Sequence, residues 1–400
     1  MLHLTEATID HGQCLLDDVG KKRLGHGITL SSPPPAACGR DQLHRPFTSP
    51  VGRQFAEATH RHIATLTACH EDAVMGIEQL GVTFASLMGL GPKLAVDSAR
   101  RAEALGYRSF WTAETTGPEA FSLLAAAGAA APSLDLGTGV LALQLRTPMV
   151  VAMGAATLQA LAPERRILIG VGISSPVVTE RWHGTPYGER PLARVREYVT
   201  LVKECLSGEK VTFQGDFYDV RGFRLGVRLG DQRPEVVVGA LNPAMLRLGG
   251  EVADGVLLNY LPASHVPWSV EQIRKGGDAT VYAYVHAGVC ERSDGIEAAR
   301  RDLFSYAVVD AYAANFERAG YGEEVAEVRA RHAAGDRDGA LAAVSDRMVD
   351  GIDVMGDAAC VRSTVVAYAE AGVDVPVLMP LPWGPDRRAV LDATLVAAAG

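Results

Sequence analysis

An anion-binding turn is indicated by the stretch from Val236 to Tyr260, VVVGALNPAMLRLGGEVADGVLLNY. An apolar run ends at Gly239, and Asn242 and Pro243 then open a segment of helical periodicity. Asn242 can accept a hydrogen bond from the first free helix N–H groups, and Pro243 suits the first helical position. Unpaired N–H groups at a helix N-terminus attract phosphate or carboxylate, and Gly239 lets a ligand approach the backbone closely. The alternative is an ordinary turn between a strand and its helix.

Side chains that commonly bind metals are present but lack the spacing of a metal site. Residues 1–74 contain seven of the eleven histidines, among them His60 and His62. A dispersed set without fixed spacing is more often solvated surface than a cluster of ligands. The six cysteines show no CxxC spacing, so neither a zinc site nor a disulfide framework is indicated. We therefore expect no metal.

Composition limits the classes of function. The chain has 400 residues, of which 48% are apolar and 21% charged, enough to bury a large core. A net charge of -9 argues against binding to nucleic acid or an anionic membrane. No apolar run approaches the roughly 18 to 20 residues of a membrane span, and MLHLTEATIDHG has an acid where a signal peptide is basic and then apolar. The sequence predicts a cytoplasmic globular protein with a small-molecule substrate.

Apolar runs typical of strands recur from Met75 onward, each followed by helical periodicity. The predicted strands are Leu80 to Phe84, Ser109 to Ala113, Leu134 to Val140, Arg166 to Val171, Glu235 to Ala240, Gly255 to Asn259, Thr280 to His286 and Val375 to Met379. The predicted helices are Leu94 to Leu105, Pro118 to Gly128, Pro148 to Leu161, Arg190 to Leu206, Pro243 to Val252, Ser269 to Lys275, Gly295 to Arg318 and Arg387 to Ala398. This alternation predicts an α/β fold, a (β/α)8 TIM barrel whose active site lies on the loops after the strands. A doubly wound open sheet is the alternative.

Two long segments interrupt the repeat, after the fourth and the seventh strand. Val211 to Val220 alternates and turns at Gln214 and Gly215 like a β-hairpin. Gly295 to Met355 is charged, rich in alanine and helical. Such insertions form lids or substrate walls, or solvated helices without a catalytic role. Residues 1–74 lack sustained periodicity and are predicted to be a poorly ordered extension of the barrel domain, residues 75–400; a translation start placed too far upstream would give the same pattern.

Longer motifs carry a resemblance to a known family. They are LAVDSARRAEALGYRSFWTAE, LGTGVLALQLRTP, RRILIGVG, RWHGTPYGERPLARVREYV, GEKVTFQGDFYDV, VVVGALNPAMLRLGGEVADGVLLN and AGVDVPVLMP. In this order, Met75 to Gly400 resembles the luciferase-like monooxygenase superfamily, and most of all its branch that uses the 5-deazaflavin coenzyme F-420. The motifs are specific for the superfamily, less specific for the cofactor, and say little about the substrate.

The resemblance implies where a flavin or deazaflavin would bind. It assigns cofactor contacts to the ends of three strands: Gly139, Val140, Gly172, Ser174, Gly239, Ala240, Leu241 and Asn242. Among these, Gly139 and Val140 correspond to a bulge with a non-prolyl cis peptide behind the ring, and the last four to the phosphate site. The sequence has Ala244 where relatives commonly have a lysine, so this cation is missing from the turn.

The resemblance also implies three candidate catalytic residues, Glu114, Thr115 and His183. In similar proteins an acid at or near Glu114 is followed by a histidine that works as acid or base, and here that position is Thr115. A threonine hydroxyl can orient a substrate or a ring carbonyl but does not exchange protons near neutral pH. His183 could replace the missing imidazole, or could be a rim histidine hydrogen-bonded to backbone. Trp182, Tyr187 and Asn259 could line the pocket.

The sequence thus predicts an oxidoreductase that moves hydride between coenzyme F-420 and a small organic substrate, by reduction of a C=C, C=N or C=O bond in secondary metabolism. One alternative is a monooxygenase that uses reduced FMN and oxygen. Another is a non-catalytic barrel that has lost its cofactor, conceivable because of Thr115 and Ala244. Similar proteins are commonly dimers, so a homodimer is expected.

Overall fold

Short runs rich in β-branched and aromatic residues form the barrel strands, because such side chains pack well in a sheet that is buried on both faces. In the computed structural model, which describes residues 79–400, the barrel strands are β1 (Gly81–Thr83), β2 (Ser109–Thr112), β3 (Asp135–Ala142), β4 (Ile167–Gly172), β7 (Glu235–Gly239), β8 (Gly255–Leu258), β9 (Thr280–Val289) and β11 (Val375–Pro380). All pairings in the order β9-β11-β1-β2-β3-β4-β7-β8 are parallel, and β8 pairs with β9 to close the barrel. The predicted (β/α)8 barrel is confirmed. The predicted extension, residues 1–74, lies outside the described residues.

Helices connect the strands. They are α1 (Pro92–Ala104), α2 (Ala120–Ala130), α3 (Pro148–Leu161), α4 (Pro191–Leu206), α5 (Pro243–Val252), α6 (Val266–Arg274), α7 (Arg292–Ala307), α8 (Asp310–Phe316), α9 (Gly322–Ala333), α10 (Arg337–Ala342), α11 (Asp346–Ile352), α12 (Ala358–Glu370) and α13 (Arg387–Ala399). Caps and prolines set several starts: Thr147 Oγ1 accepts the N–H of Val150 at 3.4 Å just ahead of Pro148. Among residues 79–400 no helix has the length and apolar character needed to cross a membrane.

Large side chains fill the barrel interior, and glycines on neighbouring strands make room for them. Trp111 and Tyr282 pack with ring centroids 5.2 Å apart, and Tyr284 lies one step further along β9 on the same face. A β-carbon on Gly137 would lie 2.4 Å from the Trp111 ring, so glycine is required there. At the amino-terminal end of β4, Arg166 donates to the Tyr282 hydroxyl at 3.0 Å. The filled interior leaves the carboxyl ends of the strands as the place for a site.

Both predicted insertions are present. After β4, residues 173–190 include a π-helical turn, Val177–Trp182, and after α4 the predicted hairpin forms from β5 (Val211–Gln214) and β6 (Asp219–Phe223), which pair antiparallel. After β9, helices α7 to α11 precede a short strand, β10 (Val354–Gly356), which pairs parallel with the end of β9. The second insertion therefore adds a strand as well as helices.

The helix that covers the seventh barrel strand differs from our expectation. The sequence placed it at Gly295 to Arg318, but that segment is split into α7 and α8 and belongs to the insertion. Helices α12 and α13 both pack against β9 and β11, and α12, which precedes β11 in the chain, is the helix that connects these strands. The segment from Gly295 to Arg318 is mostly helical, as its periodicity predicted. Periodicity indicates that a helix has an apolar face, but it does not indicate which strand that face covers.

Candidate active site

The ends of β3, β4 and β7 meet around the side chain of Val140. The pairing of β3 with β4 has a register shift at this point, and the Gly139–Val140 peptide is cis, as the resemblance predicted. β-Carbons added to Gly172 and Gly239 would lie 3.0 and 3.1 Å from the Val140 methyl groups. Four of the predicted cofactor residues are therefore brought together, and the absence of side chains on the glycines creates a cradle.

The backbone of this cradle is fixed from inside the barrel. The Tyr284 hydroxyl donates to the Gly139 carbonyl at 2.8 Å and accepts from Thr83 Oγ1 at 3.2 Å. A β-carbon on Gly139 would lie 1.9 Å from the Tyr284 hydroxyl oxygen, so this position excludes any larger residue. Tyr284 was not among the predicted site residues.

A buried amide at the edge of the cradle lacks a hydrogen-bond acceptor. Gln144 follows β3 and is 7% exposed; its Oε1 accepts the N–H of Ser174 at 3.3 Å. Its Nε2 has no partner among the described residues. A buried donor without an acceptor costs roughly 1–3 kcal/mol, so a ligand oxygen at this place would be stabilised. Both the glycine backbone of the cradle and the unpaired amide fit a flat ring system that carries carbonyl and hydroxyl oxygens.

The predicted phosphate turn is formed, but one detail of the prediction is wrong. Pro243 is the first residue of α5, as expected, whereas the Asn242 side chain does not cap the helix. Its Nδ2 donates to the Ala311 carbonyl at 3.3 Å, and its Oδ1 accepts from Arg318. A guanidinium is a stronger donor than a backbone N–H, and it draws the amide away from the helix. The role of Asn242 is therefore decided by contacts with the insertion after β9, and the residues next to Asn242 in the sequence give no sign of these contacts.

Arg318 brings a positive charge to the turn where Ala244 replaces the lysine of relatives. Its Nη2 lies 3.5 Å from the Leu241 carbonyl oxygen, and its guanidinium lies 5.5 Å from the Trp268 ring centroid. The Trp268 ring also stacks on His265, with ring centroids 4.8 Å apart. Burial lowers the pKa of Arg318, and a guanidinium remains charged in proteins even so. The start of α5 and Arg318 together could hold a phosphate.

Glu114, predicted to be catalytic, is held in an ion pair. Its carboxylate accepts from Arg146 Nε at 2.8 Å and from Arg146 Nη2 at 2.6 Å, and the Ala120 N–H lies 3.4 Å away. Arg146 also binds Glu119 at 2.5 Å and lies 5.3 Å from the Phe121 ring centroid. The Glu114 side chain is 15% exposed. A bidentate guanidinium makes this carboxylate a fixed acceptor that orders the loops after β2 and β3.

Thr115 and His183 meet through the backbone. His183 Nε2 lies 2.8 Å from the Thr115 carbonyl oxygen and must carry the proton, because a carbonyl oxygen only accepts. The Thr115 hydroxyl lies 4.0 Å from Met88 Sδ. The structure therefore places His183 in the bonded arrangement that was the alternative reading of the sequence, and the loop after β4 is tied to the loop after β2.

A buried polar cluster lies at the carboxyl ends of β8 and β9. His286 pairs in register with Met379, an interior residue, and so faces the inside of the barrel one step beyond Tyr284. His286 Nδ1 lies 2.9 Å from Asp353 Oδ1, and Nε2 lies 2.8 Å from Asn259 Oδ1. The Asp353 side chain is fully buried, and its Oδ2 has no partner among the described residues.

Tyrosines from the end of β8 and from the insertion cover this cluster. Tyr260 packs on His286 with ring centroids 4.4 Å apart and on Tyr306 at 3.9 Å, and its hydroxyl donates to Asp302 at 2.9 Å. Tyr260 has a φ of 50°, in the left-handed region that residues other than glycine rarely occupy. Burial lowers the pKa of His286 to about 4 and raises the pKa of Asp302 to about 7. Burial also raises the pKa of Asp353 well above its ordinary value.

Sequence reasoning missed these partners for identifiable reasons. Arg146, Arg318 and Asp353 come from loops or from the insertion, and no local pattern links them to the residues that they contact. His286 does have a signal: it stands in an apolar run, at even spacing from Tyr282 and Tyr284, where alternation places its imidazole inside the barrel.

Comparison with known proteins agrees with this architecture. The family model described as luciferase-like monooxygenase matches residues 80–375. A protein of Mycobacterium tuberculosis named as a coenzyme F-420-dependent oxidoreductase is 28% identical over 320 residues, which cover 72% of this chain and 90% of the relative. The 5,10-methylenetetrahydromethanopterin reductase of Archaeoglobus fulgidus is 27% identical over 305 residues, which cover 72% and 89% of the two chains.

Solved structures share the fold. The coenzyme F-420-dependent tetrahydromethanopterin reductase of Methanopyrus kandleri superposes with a TM-score of 0.67 at 21% identity, over 80% of this chain and 97% of that chain. An F-420-dependent secondary alcohol dehydrogenase in complex with an F-420-acetone adduct has a TM-score of 0.62 at 20% identity, over 80% and 98% of the two chains. Since the family model spans nearly the whole described barrel, the chain belongs to the luciferase-like monooxygenase family.

Proposed function

We propose that this protein is an oxidoreductase that binds coenzyme F-420 and transfers hydride to a small organic substrate, by reduction of a C=C, C=N or C=O bond in secondary metabolism. The observation that carries the proposal is the cradle, the close contact of Val140 with Gly172 and Gly239 at the strand ends, together with the buried, unpaired Gln144 amide. A relative that matches over nine-tenths of its own length is named as a coenzyme F-420-dependent oxidoreductase, which supports the choice of cofactor.

Different residues of this chain bind the ring and the phosphate of the cofactor. Val140, Gly172 and Gly239 form the surface for the ring, and Gln144 Nε2 offers a hydrogen bond to a ring or side-chain oxygen. The start of α5, with Ala240, Leu241 and Asn242, faces the phosphate together with Arg318. When bound, the deazaflavin supplies the hydride, and the protein supplies orientation and electrostatics.

The three residues predicted to be catalytic act on the substrate side of the pocket. Glu114 fixes Arg146 and thereby the loop that follows β3. The Thr115 hydroxyl orients a substrate or ring carbonyl, and His183 holds the Thr115 backbone in place. In this arrangement the three residues position groups for transfer.

Cofactor titration is the test of this proposal. Purified protein should bind F-420 more tightly than FMN, as measured by quenching of cofactor fluorescence. Turnover with reduced F-420 should proceed equally well with and without oxygen. Tighter binding of reduced FMN, with one oxygen consumed per product, would instead establish the monooxygenase. Binding of neither cofactor would establish a barrel that has lost its cofactor.

A homodimer is the assembly that we propose. Helix α3 carries three exposed apolar side chains, Val150, Met153 and Leu161, which are 46%, 51% and 67% exposed. Apolar side chains exposed along one helix could be covered by a second copy of this chain. Sedimentation should show twice the chain mass for the wild type, and Met153→Lys should shift it toward the monomer. A monomeric wild type would exclude this assembly.

A further inference from the structure

The polar cluster at the end of β9 has one feature that the proposed binding of cofactor does not use. Asp353 and His286 are almost completely buried, with side chains 0% and 1% exposed, and they lie on the interior face at the catalytic end of the barrel. Asp353 directly precedes β10, whose first residue pairs with Ala287, so Asp353 stands level with His286. Its second oxygen, Oδ2, has no partner among the described residues.

The hydrogen bonds determine where the protons are. Asn259 Oδ1 accepts the N–H of Tyr260 at 2.9 Å, which identifies this atom as the oxygen of the amide, because a nitrogen would set two donors against each other. The same oxygen lies 2.8 Å from His286 Nε2, so Nε2 also carries a proton. The other ring nitrogen, Nδ1, faces a carboxylate oxygen of Asp353 at 2.9 Å.

A lone pair on Nδ1 and a carboxylate oxygen would repel each other at this distance, so a proton lies between them. Either the imidazole is doubly protonated or Asp353 is a neutral carboxylic acid that donates to Nδ1. Burial disfavours both charged forms: it lowers the pKa of His286 and raises the pKa of Asp353. The pair is therefore a neutral imidazole hydrogen-bonded to a carboxylic acid at neutral pH.

The groups that face the pair support this state. They are Asp302 and Tyr306 from α7, Tyr312 from α8, Tyr260 from the end of β8 and Tyr368 from α12. None of these is a cation. Asp302 is the one further acid in this set, and burial raises its own pKa to about 7. No positive charge in this set favours release of the proton.

One end of the pair of Asp353 and His286 lies deeper in the protein than the other. Asp353 is fully buried, His286 is next, and the contact between His286 Nε2 and Asn259 is only partly buried. Nε2–H, the outward end, points at an amide C=O oxygen. A substrate carbonyl oxygen has the same hydrogen-bonding character as this amide oxygen, so it could take its place if Asn259 turned aside.

We propose that His286 is the proton donor of the reduction and that Asp353 replaces the proton which His286 gives up. This inference rests on the proposed function and narrows its substrate class to compounds with a C=O or C=N group. The substrate carbon receives a hydride, with its electron pair, from reduced F-420, and the substrate oxygen or nitrogen receives the proton from His286 Nε2. The Asp353 proton then moves to Nδ1, which restores a neutral imidazole of the other tautomer and leaves a carboxylate. One proton from solvent returns the pair to its starting state.

The protonation itself can be tested without cofactor or substrate. Infrared spectra of the wild-type protein at neutral pH should contain a carbonyl band of a protonated carboxylic acid. That band should shift when aspartate is labelled with 13C. It should persist in Asp302→Asn, which removes the neighbouring acid whose pKa is raised to about 7, and it should be absent when Asp353→Asn is added to that variant. Absence of the band from the wild type, or stoichiometric binding of added Zn²⁺ that is lost in Asp353→Asn, would overturn the proposal.

The donor role is tested with F-420 reduced by borohydride and a panel of ketones, aldehydes and imines. His286→Gln should lower kcat by roughly a hundredfold or more, the usual contribution of a positioned general acid, and leave KM and the affinity for F-420 nearly unchanged. The wild-type kcat should fall at alkaline pH, where the pair loses its proton, and His286→Gln should lose this pH dependence. Equal turnover of the variant and the wild type overturns the proposal. Failure of the wild type to bind F-420 counts against the proposed function, and the infrared result then still decides whether the pair holds its proton.

Discussion

The hydroxyl of Tyr284 donates a hydrogen bond to the carbonyl oxygen of Gly139 at 2.8 Å, from β9 across the inside of the barrel to β3. The bond links the strand that carries His286 to the peptide behind the proposed ring site. Both groups are buried, and Thr83 completes the chain of hydrogen bonds. A buried carbonyl left without this donor costs roughly 1–3 kcal/mol, so the backbone of the cradle depends on a single phenol.

Tyr284→Phe should therefore lower the free energy of unfolding by roughly 1–3 kcal/mol and weaken the binding of F-420. Tyr282→Phe is the matched control, because the Tyr282 hydroxyl bonds Arg166 at the opposite end of the barrel. Urea unfolding and fluorescence titration give the two quantities. If both variants lose stability but bind F-420 equally well, the ring does not rest on the Gly139 peptide.

Arg318→Met should weaken F-420 binding by more than about 1.4 kcal/mol, a tenfold change in Kd, because a charged hydrogen-bond donor to the phosphate is lost. Arg347→Met is the control: Arg347 comes from the same insertion, pairs with Glu324 at 2.6 Å and lies 4.6 Å from the Tyr321 ring centroid. Affinity should also decrease with salt for the wild type and much less so for Arg318→Met. An unchanged Kd in Arg318→Met would place the phosphate elsewhere.

Glu114→Gln should reduce stability by roughly 1–3 kcal/mol, because a neutral amide cannot satisfy the Arg146 guanidinium as a carboxylate does. Arg146 keeps Glu119 as a second partner, which limits the loss. Turnover per folded molecule is the discriminating measurement. A structural Glu114 leaves kcat nearly intact, whereas a large fall in kcat with unchanged melting temperature would show a catalytic role.

Stability should decrease as pH rises above about 6.5. The folded pair of His286 and Asp353 holds one proton, whichever atom carries it, whereas the unfolded pair holds one between about pH 4 and 6.5 and none above. The folded state then binds more protons, so the free energy of unfolding falls by roughly 1.4 kcal/mol per pH unit until the pair is deprotonated. Asp302, with its pKa raised to about 7, adds to the fall only below that pH.

Urea titrations at pH 6, 7 and 8 would measure this slope. Asp353→Asn should remove most of it, and Asp302→Asn should leave the slope between pH 7 and 8 in place. A wild-type stability that is flat or rises over this range would mean that the pair holds no extra proton in the folded state.

The barrel and much of its rim follow from patterns in the amino-acid sequence. Eight apolar runs, each followed by helical periodicity, specify strands and helices because burial on one or both faces imposes a period that can be read without knowledge of partners. The starts of α3 and α5 follow from Thr147-Pro148 and from Pro243, since caps and prolines act within one turn of chain. The bulge at Gly139 was predicted from the family resemblance and not from a pattern in the residues.

The roles of the polar side chains, in contrast, depend on tertiary contacts. Asn242 has the sequence of a helix cap, yet Arg318, 76 residues away, takes its oxygen. Glu114 has the position of a catalytic acid, yet Arg146 binds it from the next loop. Asp353 and His286 are 67 residues apart and meet because β10 pairs with β9. Hydrogen bonds and ion pairs depend on distances of a few ångströms, and those distances are set by how the insertion packs over the barrel rather than by any period in the chain.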